Sequence, residues 1–215
     1  MKTKLLTLVL FLICFYNVYA QKIQPVVKAL ELDLYGYKTL EERLSDYQSK
    51  GYIKSDFKGH PQEPKSMSYQ SGANKGVDAI YEIFYNDKNE VYKVSLYFGP
   101  DIATWKTFSD EEKMSANNNA QLNLVNMVIK ESGKPTASVS FTWDPYNKED
   151  LQSPARFLAG ADAKKVGFAS QWYNDGDFMH DSPISVETYS SRLIEVSVAD
   201  WRVQEAARKA ARHKK

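Results

Sequence analysis

The feature that most constrains this chain is a pair of nine-residue segments, 77–85 and 90–98, joined by Asn86-Asp87-Lys88-Asn89. In the second, Tyr92, Val94, Leu96 and Phe98 alternate with Lys93, Ser95 and Tyr97. That period of two puts successive side chains on opposite faces of a sheet. The four-residue joint of turn-forming residues closes a hairpin, so the two segments pair antiparallel and the fold grows outward from them.

On either side of this hairpin the pattern changes to helical spacing. Thr39 can cap a short helix running to Tyr47, with Glu42 completing a capping box, Leu40, Leu44 and Tyr47 on one face, and Gly51 as the stop. A polar, proline-broken stretch spans 59–76. The order then repeats. Asn117 to Glu131 reads as a helix, with Leu122, Val125, Val128 and Ile129 on its apolar face, closed by Gly133 and barred from continuing by Pro135. Strands are expected at 136–143, 166–173, 183–189 and 193–199, the last with Ile194, Val196 and Val198 inward and Glu195 and Ser197 outward. A helix followed by a run of antiparallel strands, twice over, predicts an α+β fold with antiparallel sheets, helices on one face and two tandem helix-plus-four-strand units. The domain reading is a signal at 1–20, one α+β domain at 21–200 with halves 21–100 and 101–200, and a basic tail at 201–215.

The first twenty residues read as an export signal. Lys2 and Lys4 precede a run from Leu5 to Phe15 that is apolar except for Thr7, and Val18-Tyr19-Ala20 offers small residues where a signal peptidase reads. That run is shorter than the roughly 20 apolar residues that span a bilayer, so cleavage is expected near Gln21, with no transmembrane segment afterwards and a secreted or periplasmic mature chain. The single cysteine, Cys14, falls inside the signal, and Ile13 is too large to precede a lipidated cysteine. The mature chain therefore has no disulfide, thiol nucleophile or thiolate metal site. Its 195 residues suffice to bury a core on the order of 70% of the unfolded surface without such staples. Without Lys2 and Lys4 it carries 26 basic against 27 acidic residues, which argues against nucleic acid as a partner.

Trp105, ahead of a long helix that ends in Gly133-Lys134-Pro135, resembles a loose class of uncharacterised secreted proteins of Gram-negative bacteria. In that class a strand running into a Trp, a helix ending in Tyr-Gly-x-Pro and a further strand recur; Ser132 stands here in the place of the Tyr. The doubled helix-plus-four-strand layout is similar to that of β-lactamase-inhibitor-like envelope domains. This resemblance implies a binding or inhibitory module whose concave sheet is the working face, and it carries over no catalytic residue.

Among chemistry-bearing residues, Asp175, Asp177, His180 and Asp181 form the densest polar cluster, but they lack the ligand order of a calcium loop and read as a hairpin turn. There is no Gly-x-Ser-x-Gly elbow, no His-Glu-x-x-His and no phosphate-binding glycine loop. No catalytic residue, metal site or cofactor is assigned. The aromatic residues are more informative. Trp143 and Tyr146 close one expected strand, Trp172 and Tyr173 another, each beside a turn, where rings can anchor a partner. These four are the candidate binding residues. The expected function is a non-enzymatic module that recognises a protein or envelope component. The alternative is a carboxylate-dependent hydrolase acting on glycan or peptidoglycan, which needs only two suitably spaced acids.

Overall fold

The computed structural model describes residues 28–34, 36–71, 76–172 and 184–212. Helix α1 (Leu40–Ser49) leads into β1 (Ile53–Ser55), β2 (Ser66–Gln70), β3 (Val77–Tyr85) and β4 (Val91–Pro100). A short α2 (Ile102–Thr107) and the long α3 (Asp110–Ser132) follow, then β5 (Ala137–Thr142), a 3₁₀ turn (Lys148–Leu151) and α4 (Pro154–Asp162). The chain continues through β6 (Val166–Trp172), β7 (Ile184–Thr188) and β8 (Ile194–Ala199) to α5 (Trp201–Arg212).

Among the described residues, eight strands form one antiparallel sheet of order β1-β2-β3-β4-β8-β7-β6-β5. Each half is a four-strand meander preceded by a helix, and the halves meet at β4 and β8, where Val94 faces Val198 and Leu96 faces Val196. The α+β class is therefore as expected, but the strands form one sheet instead of several, α4 interrupts the second meander, and α5 packs on the face opposite the other helices. The hairpin of β3 and β4 is also in place, with a bulge at Phe84 and Tyr85 that lets Tyr92 turn out of the ladder.

One face of the sheet carries α1, α3 and α4. Leu40 and Tyr47 of α1 and Leu124 and Val128 of α3 pack onto Tyr69, Tyr81, Ile83, Leu96, Ile194 and Val196. Each such side chain contributes about 1.5–3 kcal/mol by burial. The Glu42 amide donates to Thr39 Oγ1 as expected, but the Glu42 carboxylate accepts from the Lys38 amide, so the expected capping box is not completed; Gly51 and Gly133 end their helices at φ 76° and 79°. At those dihedrals an L side chain is strained.

Three details differ from expectation. Helix α3 starts seven residues before Asn117, nucleated by a capping box between Ser109 and Glu112 and three acidic residues in its first turn. Its buried stripe is Asn117, Gln121, Leu124 and Val128, so Leu122, expected inward, is 56% exposed. The stripe is hidden from a count of apolar residues because Asn117 Nδ2 donates to the Ser190 and Ser191 carbonyls, and Gln121 Oε1 accepts from Thr188. Finally, Glu195 and Ser197 do not face water. Strand β8 is central, and its second face is covered as fully as its first.

That second face is covered by segment 56–65 and by α5, the region read as a tail. Val203 and Ala207 of α5 pack onto Phe84 and Tyr92. The Glu63 carboxylate, only 1% exposed, accepts from Gln204, Arg208 and Tyr92. These anchors explain how a basic, alanine-rich helix docks with so little apolar surface.

Candidate functional site

The covered half of the second face is built around charge. Reading across the sheet, Ser68, Glu82, Ser95, Ser197 and Ser185 occupy one row. Tyr97, Glu195 and Glu187 occupy the next. Small serines leave the depth into which segment 56–65 settles: the Gly59 amide donates to Glu82 Oε2, and the Ser68 hydroxyl donates to the Phe57 carbonyl. Glu82 also accepts from Ser66 and from the Tyr97 hydroxyl. Glu195 Oε1 lies 2.9 Å from Lys93 Nζ and accepts from Ser95 Oγ at 2.6 Å, while His60 Nε2 sits 2.9 Å from both carboxylate oxygens.

Burial alone would raise the Glu195 carboxyl, but Lys93, His60 and Ser95 outweigh it and hold the acid well below the usual carboxylate range. Glu187, its cross-strand neighbour, shifts the other way, raised by burial and by the negative charge of Glu195. The two acids thus have divergent proton affinities, a pattern shared with acid–base catalysts. Glu195, however, is 1% exposed and fully partnered, so no substrate can touch it. The network's evident role is to clamp segment 56–65 onto the sheet.

Among the described residues no segment covers the other half of this face, which ends at β5. Among the described residues this strand pairs with β6 alone. Alternation puts Val139, Phe141 and Trp143 in a row on the open face. Val139 is 57% and Trp143 63% exposed, with the Trp143 ring 5.7 Å from that of Phe141. Beside the row, in register, are Ala169 and Gln171 of β6 and Ser185 and Glu187 of β7, all half-buried. On the helix face, β5 and β6 present Ser138, Ser140 and Ser170 to Asn118, Gln121 and Leu122 of α3 across a cavity of about 460 Å³. The strand therefore offers an apolar row on one side and a neutral hydroxyl-and-amide groove on the other.

The four candidate aromatics do not form one surface. Trp143 is exposed as a binding residue should be. Its amide donates to the Lys165 carbonyl, and the chain reverses through the cis Asp144–Pro145 bond. Tyr146 lies under α4, where the Arg156 guanidinium is 4.6 Å from its ring and its hydroxyphenyl packs among Phe157, Val166 and Phe168. Trp172 requires a correction: it is 3% exposed in the main core, and its indole N–H donates to the Gly133 carbonyl at 2.9 Å. The reason is geometric. Strands β5 and β6 are antiparallel, so Trp143 and Trp172 stand at opposite ends of the hairpin, and the register places them on opposite faces. Tyr173 and the Asp175–Asp181 cluster lie outside the described residues.

Val139 and Phe141 were missed, although their signal, apolar residues at i, i+2 and i+4 with Trp143, is legible in Ser138-Val139-Ser140-Phe141-Thr142. Glu82, Lys93, Glu187 and Glu195 were missed as well; their signal is a charge inside an otherwise apolar strand. Among the described residues no group of His, Cys, Asp or Glu side chains is placed to hold a metal ion, and no helix is long and apolar enough to cross a membrane. Comparison with protein-family models, curated proteins and solved structures finds no match to this chain.

Proposed function

We propose that this is an exported, non-enzymatic binding module that grips a protein partner through the open half of its sheet, with Trp143 as the anchor. The observation that carries the reading is the exposure of Val139 on β5 and of Trp143 just past its end, with half-buried Phe141 between them. Large apolar side chains standing in water at adjacent positions cost solubility, and exposed apolar patches on folded domains mark interaction sites. The rim of Gln171, Ser185 and Glu187 supplies hydrogen bonds around the row, the apolar-centre, polar-border anatomy of protein interfaces. The tandem layout supports the resemblance to β-lactamase-inhibitor-like domains, in which the sheet face does the binding. The leader-like first twenty residues support an envelope or extracellular partner.

A photo-crosslinking residue in place of Trp143, expressed in the native host, tests this. A discrete adduct that disappears when Phe141→Asp is added, and that a probe at the exposed Ile53 on the far edge does not give, is the expected result. Adducts that are absent, or the same from both positions, refute the reading.

The hydrolase reading has one observation in its favour, the raised affinity of Glu187 for its proton beside ionised Glu195. It predicts glycan or peptidoglycan turnover that Glu187→Gln abolishes. The binding reading predicts no turnover by the wild type or by that variant.

A further inference from the structure

Edge strands in natural sheets are usually defended by lysine, proline, a bulge or brevity, since their unpaired N–H and C=O groups invite another strand. Strand β1, at the far edge, has that protection: it is three residues long and contains Lys54. Strand β5 has none of it, being six residues long with no charge, no proline and a regular register against β6. Ser138, Val139 and Ser140 are all exposed there.

The sequence of this edge is self-complementary. Around Ser140, an antiparallel two-fold pairing would set Val139 opposite Phe141, Ser138 opposite Thr142 and Ala137 opposite Trp143. Apolar residues then meet apolar residues on the open face, and hydroxyls meet hydroxyls on the helix face, both favourable cross-strand pairs. Pro135 and Pro145 are related by the same dyad, so the ladder is bounded symmetrically at each end by residues that cannot donate to it. No charged side chain lies between residues 135 and 144, so no like charges oppose each other within the ladder.

We infer that the partner for this edge is a second copy of the chain, joined through β5 into one continuous sixteen-stranded sheet with a two-fold axis at Ser140. The contact is isologous and closed, so it stops at a dimer. It uses the edge of β5 and leaves its face free. The two apolar rows then run together across the axis as one patch, so the dimer deepens the binding reading; it rests on the same strand but not on the same contact.

A mature chain without cysteine makes the test clean. In the dimer, two copies of residue 140 face each other at about 4.5–5.5 Å between Cα atoms, inside the range a disulfide spans. Two copies of residue 138 are four positions out of register, roughly 13 Å apart along the strands. Residues 21–215 carrying Ser140→Cys should therefore oxidise to a covalent dimer, while Ser138→Cys should not. Sedimentation velocity should give a dimer for the wild type and a monomer for Ser140→Lys, with circular dichroism confirming that the variant is folded. A wild type that stays monomeric at 100 µM would overturn the inference, as would equal crosslinking from both cysteines or a dimer that survives Ser140→Lys. The binding reading fails separately, if the only adduct from residue 143 has the mass of two copies of this chain.

Discussion

The charge network under segment 56–65 makes a sharp prediction for Lys93→Met. Lys93 Nζ stands 2.9 Å from the Glu195 carboxylate, which is enclosed and ionised. At that distance, with an effective dielectric constant near 20, the attraction is on the order of 6 kcal/mol before desolvation is subtracted. Removing one partner of a buried pair costs about 3–5 kcal/mol. A second route gives a similar size. Without Lys93 the cheapest response is for Glu195 to take up a proton, and at pH 7 that costs about 1.4 kcal/mol for each unit above an ordinary glutamate value of 4.3, or roughly 4 kcal/mol. Domains of this kind have only about 5–15 kcal/mol in total, so Lys93→Met should lower Tm by on the order of 10 °C. The sign with pH follows from proton counts. The variant's native state holds one proton that the wild type's does not, so its deficit should shrink by about 1.4 kcal/mol per unit as pH falls from 7 toward 5. Glu195→Gln added to Lys93→Met removes the stranded charge and should recover most of the loss. Urea unfolding of the wild type, both single variants and the double variant at pH 7 and pH 5 decides the matter. Additive costs, or a Lys93→Met deficit indifferent to pH, would refute the account of Glu195 as an ionised, cation-dependent group.

Other consequences can be read by the same measurements. Glu187 has a raised proton affinity in the fold, so its contribution is complete at low pH and is lost as pH rises through its native titration; Glu187→Gln should stabilise the protein at pH 7 and above and leave it unchanged below the ordinary carboxylate range. Glu63 is shifted down: burial opposes ionisation, but Arg208, Gln204 and Tyr92 prevail. Glu63→Gln should cost about 1.5–3 kcal/mol, typical of hydrogen bonds to a charged group, and should increase amide exchange across α5. A methyl at Gly99 would collide with the Arg192 carbonyl, which belongs to the backbone and cannot swing away; Gly99→Ala should destabilise by about 2–3 kcal/mol. Trp143→Ala, by contrast, should change stability by no more than about 0.5 kcal/mol while abolishing partner capture.

The parts of the fold legible in the sequence are those where one face of an element is apolar and the other wet. The β3–β4 hairpin, β5 to β8 and the stop at Gly133 belong to this set, and the tandem order of the elements follows from them. What escaped is what depends on tertiary partners. Strand β1 is too short to show a period, and β2 hides its face among serines because Ser66 donates to Glu82 and Ser68 to the Phe57 carbonyl of the inserted segment. Asn117 and Gln121 look like surface residues until the carbonyls and hydroxyl they bind are brought up from the β7–β8 turn. Trp143 and Trp172 look alike in sequence, each at a strand end beside a turn. Only the pairing of β5 with β6 sends one into water and the other into the core.

The two halves of the sheet use the same architecture to opposite ends, and this asymmetry supports the proposed site. On the second face, the half formed by β1 to β4 keeps small serines in the row that crosses the sheet and fills the depth above them with Phe57, Gly59 and His60 from the long β1–β2 connection. Helix α5 closes what remains. The equivalent β5–β6 connection holds the 3₁₀ turn and α4, which pack on the helix face against Val166 and Phe168. Nothing on that connection crosses to the second face, so the row of Val139, Phe141 and Trp143 keeps the exposure that its counterpart loses. An apolar strand face is expensive to leave wet, and among the described residues no part of the chain covers this one, which supports the proposed interface. If that reasoning holds, grafting cover onto the row, by a helix tethered after Arg212 and designed to lie on β5 and β6, should raise Tm and block partner capture together. Stabilisation with capture intact would place the interface elsewhere.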